Sequence, residues 1–225
     1  MKTIKVLLAD DHTVVRQGLR ALVDAEEDMC VVGEAENGRQ AVLLTKKLQP
    51  DVIVLDVAMP LLNGIEATRQ IRRDVPQTKV LILSSYSDDE YVNQVTEQGA
   101  AGYLMKQTAA TELLKAIREA QKGNAYFSPA IAKRLREQTS RSSADGAPMT
   151  ISEPDLTPRE AEVLQLIAEG FANKQIAAEL GLSVKTVEKH RQQVMHKLNI
   201  HDIAGLTRYA SARGIIEKTV RLSTI

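Results

Sequence analysis

Along the first 125 or so residues, two spacings of apolar side chains alternate. Short runs rich in Val, Ile and Leu occupy residues 4–9 (IKVLLA), 30–35 (CVVGEA), 51–57 (DVIVLDV), 79–85 (KVLILSS) and 101–106 (AGYLMK). Between them, apolar residues recur three or four apart, from Val14 to Val23, Gln40 to Leu48, Ile65 to Ile71, Tyr91 to Gln98 and Leu113 to Ala120. A strand that is apolar throughout is covered on both faces, and helices supply the cover. The pattern predicts an α/β domain with a doubly wound, five-stranded parallel sheet.

After NAYFSP the pattern changes. Ser128 and Pro129 have the form of an N-cap and first-turn proline for a short helix through Gln138. Residues 139–154 (TSRSSADGAPMTISEP) have no apolar period and read as a flexible linker. The remainder has helical spacing only. In LTPRE, Thr157, Pro158 and Glu160 form the signature of a capping box, and Val163, Leu164, Ile167 and Ala168 carry an apolar face to Gly170. Asn173 caps KQIAAEL, which ends at Gly181; Ser183 caps VKTVEKHRQQVMHKL; a fourth helix covers about Ile203 to Arg213. The expected organisation is a domain over 1–125, a short helix and linker over 126–154, and a small all-α, four-helix domain over 155–225.

Composition narrows the function classes only slightly. Lys+Arg and Asp+Glu are equal at 29 each. Residues 1–127 carry 15 basic and 18 acidic side chains, and residues 153–225 carry 10 and 9, so any surface for nucleic acid must be local. The single cysteine, Cys30, cannot form an internal disulfide and suits a buried apolar position. No apolar run approaches the length of a membrane span, and acids follow MKTIKVLLA directly, so a cytoplasmic location without membrane attachment is expected.

In doubly wound sheets, ligands bind beyond the carboxyl ends of the strands. Strand one exits into Asp10 and Asp11, strand three into Asp56, strand four into Ser84 and Ser85, and strand five into Lys106. No glycine-rich phosphate loop follows strand one. Taken alone, Asp11 fits a helix N-cap, and His12 fits the helix surface, outside any site. Together the exits say more. Three converging carboxylates without a counter-charge would force one to hold a proton, whereas Mg²⁺ favours such oxygen ligands. A carboxylate can also be a phosphoryl acceptor, with an ammonium and a hydroxyl stabilising the transferred group.

The stretches LLADDH, DVIVLDVAMPLLNG, VLILSS and GAAGYLMK, in order over about residues 3–122, resemble the receiver domain of two-component response regulators. The resemblance implies a flavodoxin-like sheet of order 2-1-3-4-5. It implies Asp56 as phosphoacceptor from a histidine kinase, and Mg²⁺ held by Asp10, Asp11, Asp56 and the Ala58 carbonyl. Ser84 and Lys106 then contact the phosphate, and Tyr103 is the aromatic whose rotamer reports phosphorylation. Met59, Pro60 and Gly64 match the loop after the acceptor. Gln107 stands where many receivers have proline, so a cis peptide is not expected there. Ala58 and Tyr86 occupy positions that tune phosphoryl lifetime. An enzymatic alternative, an aspartyl-phosphate phosphatase, needs a second acid two residues after the nucleophile, and that residue is Ala58.

In the tail, residues 173–180, a turn at Gly181 and residues 183–198 have the form of a helix-turn-helix. Val184, Val187, Val194 and Leu198, with Arg191 filling the stripe, are spaced to point inward. Lys185, Glu188, Lys189 and Gln192 share another face and suit base edges, while Lys185, Thr186, His190 and Arg191 suit phosphates. LTPRE…NKQIAAELGLSVKTVEKHRQQVMHKL resembles the LuxR-type DNA-binding domain over 155–217. This implies binding to double-stranded DNA and a dimer contact around Ile203, Leu206 and Ala210. Receiver, linker and LuxR-type domain together resemble the NarL/FixJ subclass of response regulators. Such proteins are transcription regulators rather than enzymes, dimerising when phosphorylated, with the unphosphorylated receiver covering the recognition helix.

Overall fold

The computed structural model describes residues 3–85, 92, 95–133 and 156–216. The chain divides into two compact units, Met1–Thr150 and Ile151–Ile225.

In the first unit, β1 (Ile4–Ala9), β2 (Met29–Ala35), β3 (Val52–Asp56), β4 (Lys79–Ser84) and β5 (Gly102–Met105) lie parallel in the order β2-β1-β3-β4-β5. The helices α1 (Thr13–Asp24), α2 (Gly38–Leu48), α3 (Gly64–Asp74) and α4 (Ala109–Lys122) connect and cover them. Residues 92 and 95–97 are helical between β4 and β5. The rest of the helix expected from Tyr91, and Tyr86, lie outside the described residues.

Successive strand residues feed opposite faces, as the pleat requires. Val6, Leu8, Val54, Leu83 and Leu104 pack with Leu19 and Val23 of α1 and Leu113, Ala116 and Ile117 of α4. Leu7, Ile53, Leu55, Ile82 and Tyr103 pack with Val42 of α2 and Ala67 and Ile71 of α3. Each fully buried Leu, Ile or Val contributes about 1.5–3 kcal/mol. Cys30 is only half-buried, because β2 lies at the sheet edge, where cover is incomplete.

A sixth strand, β6 (Tyr126–Phe127), extends the sheet past the five strands and past the boundary at 125 expected from sequence. It pairs parallel with β5, Gly102 opposite Tyr126 and Tyr103 opposite Phe127. The Tyr126 and Ser128 N–H groups donate to the carbonyls of Ala101 and Tyr103, both at 3.0 Å. Gly102 makes this approach possible, since a Cβ there would lie 2.1 Å from the Tyr126 carbonyl oxygen. Residues 129–133 are helical, and Ile131 is fully buried in the α2–α3 side of the core. Ser128 does not cap with its side chain, whose hydroxyl is buried without a hydrogen-bond partner among the described residues. The remainder of the helix expected to Gln138 and the linker at 139–154 lie outside those residues.

The second unit holds α5 (Pro158–Ala168), α6 (Asn173–Leu180), α7 (Val184–Leu198) and α8 (Ile203–Ala212). The capping box on α5 is formed: Thr157 N–H donates to Glu160 Oε2 at 2.7 Å, and Glu160 N–H to Thr157 Oγ1 at 3.4 Å. Asn173 is the first helical residue rather than the cap of α6; Ala172 stands before it, and its N–H is taken by Gln175 Oε1 at 2.8 Å. Gly181 closes α6 at φ +64, a left-handed conformation that suits glycine. Ser183 accepts from Thr186 N–H at 3.1 Å to start α7. Val163, Leu166, Ile176, Val187, Val194, Leu206 and Ala210 are fully buried and form its core.

Candidate functional site

Strand order decides which side chains meet. The direction of strand addition reverses at β1, so the exits of β1 and β3 are neighbours, and a crevice opens between them. Asp10 and Asp11 follow β1, and Asp56 ends β3. Asp10 and Asp56 are 1 % and 3 % exposed, while Asp11 is half-buried. Lys106, at the exit of β5, reaches back across β4: its Nζ lies 2.8 Å from Asp10 Oδ2 and 2.8 Å from Asp56 Oδ2. Ser84, at the end of β4 between them, is fully buried, as is Tyr103 on β5. The peptide bond joining Lys106 to Gln107 is trans.

The loop after Asp56 is drawn tight against it. Gly64 N–H donates to the Val57 carbonyl at 2.7 Å, and a Cβ on Gly64 would lie 2.1 Å from the Asp56 carbonyl oxygen. Asn63 caps α3 by accepting from Glu66 N–H at 2.9 Å. Ala58 and Met59, within this loop, are buried.

Burial, reinforced by the charges of Asp10 and Asp11 and opposed by Lys106, pushes the Asp56 carboxyl up to about 7. Burial works against the Lys106 ammonium, but Asp56 and Asp10 outweigh it and hold the group above its ordinary value. One ammonium therefore serves two buried carboxylates. A third carboxylate stands beside them. Asp10 Oδ2 faces the Lys106 ammonium and Asp11 Oδ1 the His12 imidazole, each at 2.8 Å, and since a carboxylate oxygen carries two lone pairs, each keeps capacity to offer a cation.

Asp11 is not the cap of α1. His12 occupies that position, with no side-chain cap hydrogen bond. His12 belongs to the acidic corner rather than to the helix surface expected from sequence: its N–H donates to Asp10 Oδ1 at 2.9 Å and its Nδ1 lies 2.8 Å from Asp11 Oδ1. Ligand atoms of Asp10, Asp11, His12 and Asp56 lie within 4.8 Å of one another. Arg16, on α1, stands close to this corner without being at a strand exit. It lies three and seven residues before the buried Leu19 and Val23, so a charge occupies the apolar stripe of α1, and that is its sequence signal.

In the second unit, α7 separates by face. Lys185, Glu188, Lys189 and Gln192 are exposed, and with Ser183 and Thr186 they line an open cavity of about 590 Å³. Val187 and Val194 point inward, but Val184 is 41 % exposed because it lies in the first turn, outside the helix contacts. Arg191 is half-buried and donates to Asn173 Oδ1 at 3.2 Å, tying α7 to α6. His190 is also half-buried. On α8, Leu206 and Ala210 are fully buried in the domain's own core, and Ile203 is 50 % exposed.

Residues 6–118 match the response regulator receiver domain, and residues 154–210 match the luxR family of bacterial regulatory proteins. The chain belongs to the response regulators, as a member of the NarL/FixJ subclass with a LuxR-type DNA-binding domain. It is 40% identical over 213 residues to the transcriptional regulatory protein LiaR of Bacillus subtilis, covering 95% of this chain and 99% of LiaR. It is 35% identical to the response regulator protein VraR of Staphylococcus aureus, over 96% of this chain and 100% of VraR. A solved structure of two RcsB dimers bound to two parallel DNAs covers 94% of this chain and 99% of its own, at 29% identity and a TM-score of 0.57. The chain is thus a two-component transcription regulator.

Proposed function

We propose that Asp56 accepts a phosphoryl group from a histidine kinase, and that the modified chain pairs with a second copy to bind a specific double-stranded DNA site. The observation that carries this reading is the position of Lys106, 2.8 Å from both Asp56 and Asp10 at the exit of β5. A carboxylate oxygen of Asp56 forms a bond to phosphorus as the bond from phosphorus to the kinase imidazole nitrogen breaks, and the imidazole leaves. Lys106 faces the charge on the phosphoryl oxygens, and the Ser84 hydroxyl donates to one of them. Tyr103, buried one strand from Ser84, senses the change. Asp10, Asp11, Asp56 and the Ala58 carbonyl would hold Mg²⁺, and the three carboxylates, with ligand atoms within 4.8 Å of one another, fit that role. When bound, the ion neutralises charge shared by the carboxylates and the phosphoryl group.

The receiver is then a stoichiometric acceptor rather than a turnover enzyme. The DNA reading rests on the exposed Lys185, Glu188, Lys189 and Gln192 face of α7 and on the DNA-bound RcsB relative. With only a few cations on that face, one domain binds weakly, and pairing supplies the rest. Thr186, His190 and Arg191 position the helix against phosphates. Incubation with acetyl phosphate and Mg²⁺ should label one phosphoryl per chain, produce dimers in sedimentation, and yield a footprint. The reading fails if Asp56→Asn protein gives the same footprint with the same affinity and stoichiometry as labelled wild type.

A further inference from the structure

Arg16 is 5 % exposed, on the face of α1 turned toward the sheet. A buried guanidinium must be paired, since an uncompensated charge there is strongly disfavoured. Its three partners come from two strand exits. Nη1 donates to the main-chain carbonyl of Asp10 at 2.7 Å, Nη2 to Glu36 Oε1 at 3.0 Å, and Nε to Glu34 Oε2 at 3.4 Å. Asp10 N–H in turn donates to the Ala35 carbonyl at 3.1 Å. The Asp10 residue is therefore held at both ends of its backbone: its N–H by the end of β2, its carbonyl by Arg16. The carboxylate between those two anchors has little freedom left, and the next residue is Asp11.

We propose that Arg16 is a positioning residue of the cation site. Its buried guanidinium clamps the Asp10 main chain, and through it sets the Asp10–Asp11 pair, without itself touching the ion. The inference rests on the reading of Asp10, Asp11 and Asp56 as a Mg²⁺ site. Arginine is required by geometry. Its planar fork addresses three acceptors in three directions, whereas a lysine ammonium at the same place is a point charge with a shorter reach. Losing a group that orients a ligand from behind typically costs about 10–100-fold in metal affinity. Glu34 and Glu36 neutralise the guanidinium locally, so its effect on the site is one of shape more than of charge.

The test is a Mg²⁺ titration of the full chain by calorimetry, with acetyl-phosphate labelling of Asp56 at graded Mg²⁺. Arg16→Met and Arg16→Lys should both raise the Mg²⁺ dissociation constant about tenfold. The Mg²⁺ concentration for half-maximal labelling should rise in parallel, while labelling at saturating Mg²⁺ recovers. Arg118→Met is the structural control: it removes a guanidinium paired with Glu26 and Asp28 and no site residue, and should leave Mg²⁺ affinity unchanged. If Arg16→Met fails to fold, Arg16→Lys, which keeps the charge, decides the question. Wild-type affinity in Arg16→Lys overturns the proposal, as does tighter binding by Arg16→Met, which would mark a purely electrostatic role. If wild type itself binds no Mg²⁺, the metal-site reading falls first and takes this inference with it.

Discussion

Lys106 lies two strands from Asp56, yet its Nζ stands 2.8 Å from the Asp56 carboxylate. It passes over the exit of β4 and meets Asp10 at the same distance. The ammonium is thus the resident counter-charge of the pocket, in the place where an added cation would also act.

Lys106 and a divalent cation should therefore compete. Lys106→Met should tighten Mg²⁺ binding roughly thirtyfold at pH 8, the equivalent of about 2 kcal/mol for a single charge facing a doubly charged ion at 4 Å in water. It should also slow labelling of Asp56, because the phosphoryl oxygens lose their ammonium. Calorimetry and acetyl-phosphate labelling measure the two effects separately, and their opposite signs are the signature.

The exposed face of α7 allows phosphate contacts to be separated from base contacts. Lys185→Ala should weaken DNA binding about equally on all sequences and reduce the slope of log affinity against log salt by about 0.9. Gln192→Ala should leave the salt slope unchanged and relax preference at one base pair, worth about 1–3 kcal/mol. Fluorescence anisotropy across a salt series, with target and scrambled duplexes, distinguishes them.

Glu160 joins two ends of the DNA-binding domain. It takes Thr157 N–H at the start of α5 and Lys197 Nζ, at 2.7 Å, near the end of α7. Burial raises its carboxyl, but Lys197 and the Thr157 N–H outweigh burial and hold it below the ordinary glutamate range. The folded state thus favours the ionised form. Its contribution is full above the ordinary glutamate range and is lost as pH falls through the depressed folded value. Glu160→Gln should cost about 2 kcal/mol at pH 7, a cost that shrinks on acidification. Thermal melts of the chain from pH 7 to pH 3 follow it.

Gly102 should tolerate no side chain. A Cβ would lie 2.1 Å from the Tyr126 carbonyl oxygen, a main-chain atom that must move away. Gly102→Ala should destabilise the receiver by about 1–3 kcal/mol and speed amide exchange at Tyr126 and Ser128, whose N–H groups bond to the β5 segment. Loss of stability without faster exchange at those two amides would place the strain elsewhere.

The strands and most helices were legible because near-continuous apolar runs and three- or four-residue spacing leave few alternatives over such lengths. The acidic edge was legible because strand order converts exits 45 residues apart into neighbours, as with Asp11 and Asp56. What escaped was local. β6 is two half-buried residues, too short for any period, and its existence depends on Gly102 rather than on its own sequence. Leu206 and Ala210 have spacing that suits either a core or an interface, and tertiary packing chose the core. The His12 main-chain N–H meets the Asp10 carboxylate and the Arg16 guanidinium meets the Asp10 carbonyl, contacts with main-chain atoms that residue type alone does not encode.

The sixth strand also changes where the receiver can be cut. Ending the chain at residue 125 would unpair the Gly102–Tyr103 end of the β5 edge, free the Ala101 and Tyr103 carbonyls, and empty the place of Ile131 in the core. An uncovered parallel edge is a template for another copy of itself. A fragment stopping there would self-associate through that edge, and a dimer so formed would owe nothing to Asp56. Carrying the cut beyond residue 133 keeps the Gly102–Tyr103 end of that edge paired, so that pairing through it is no longer an effect of the scissors.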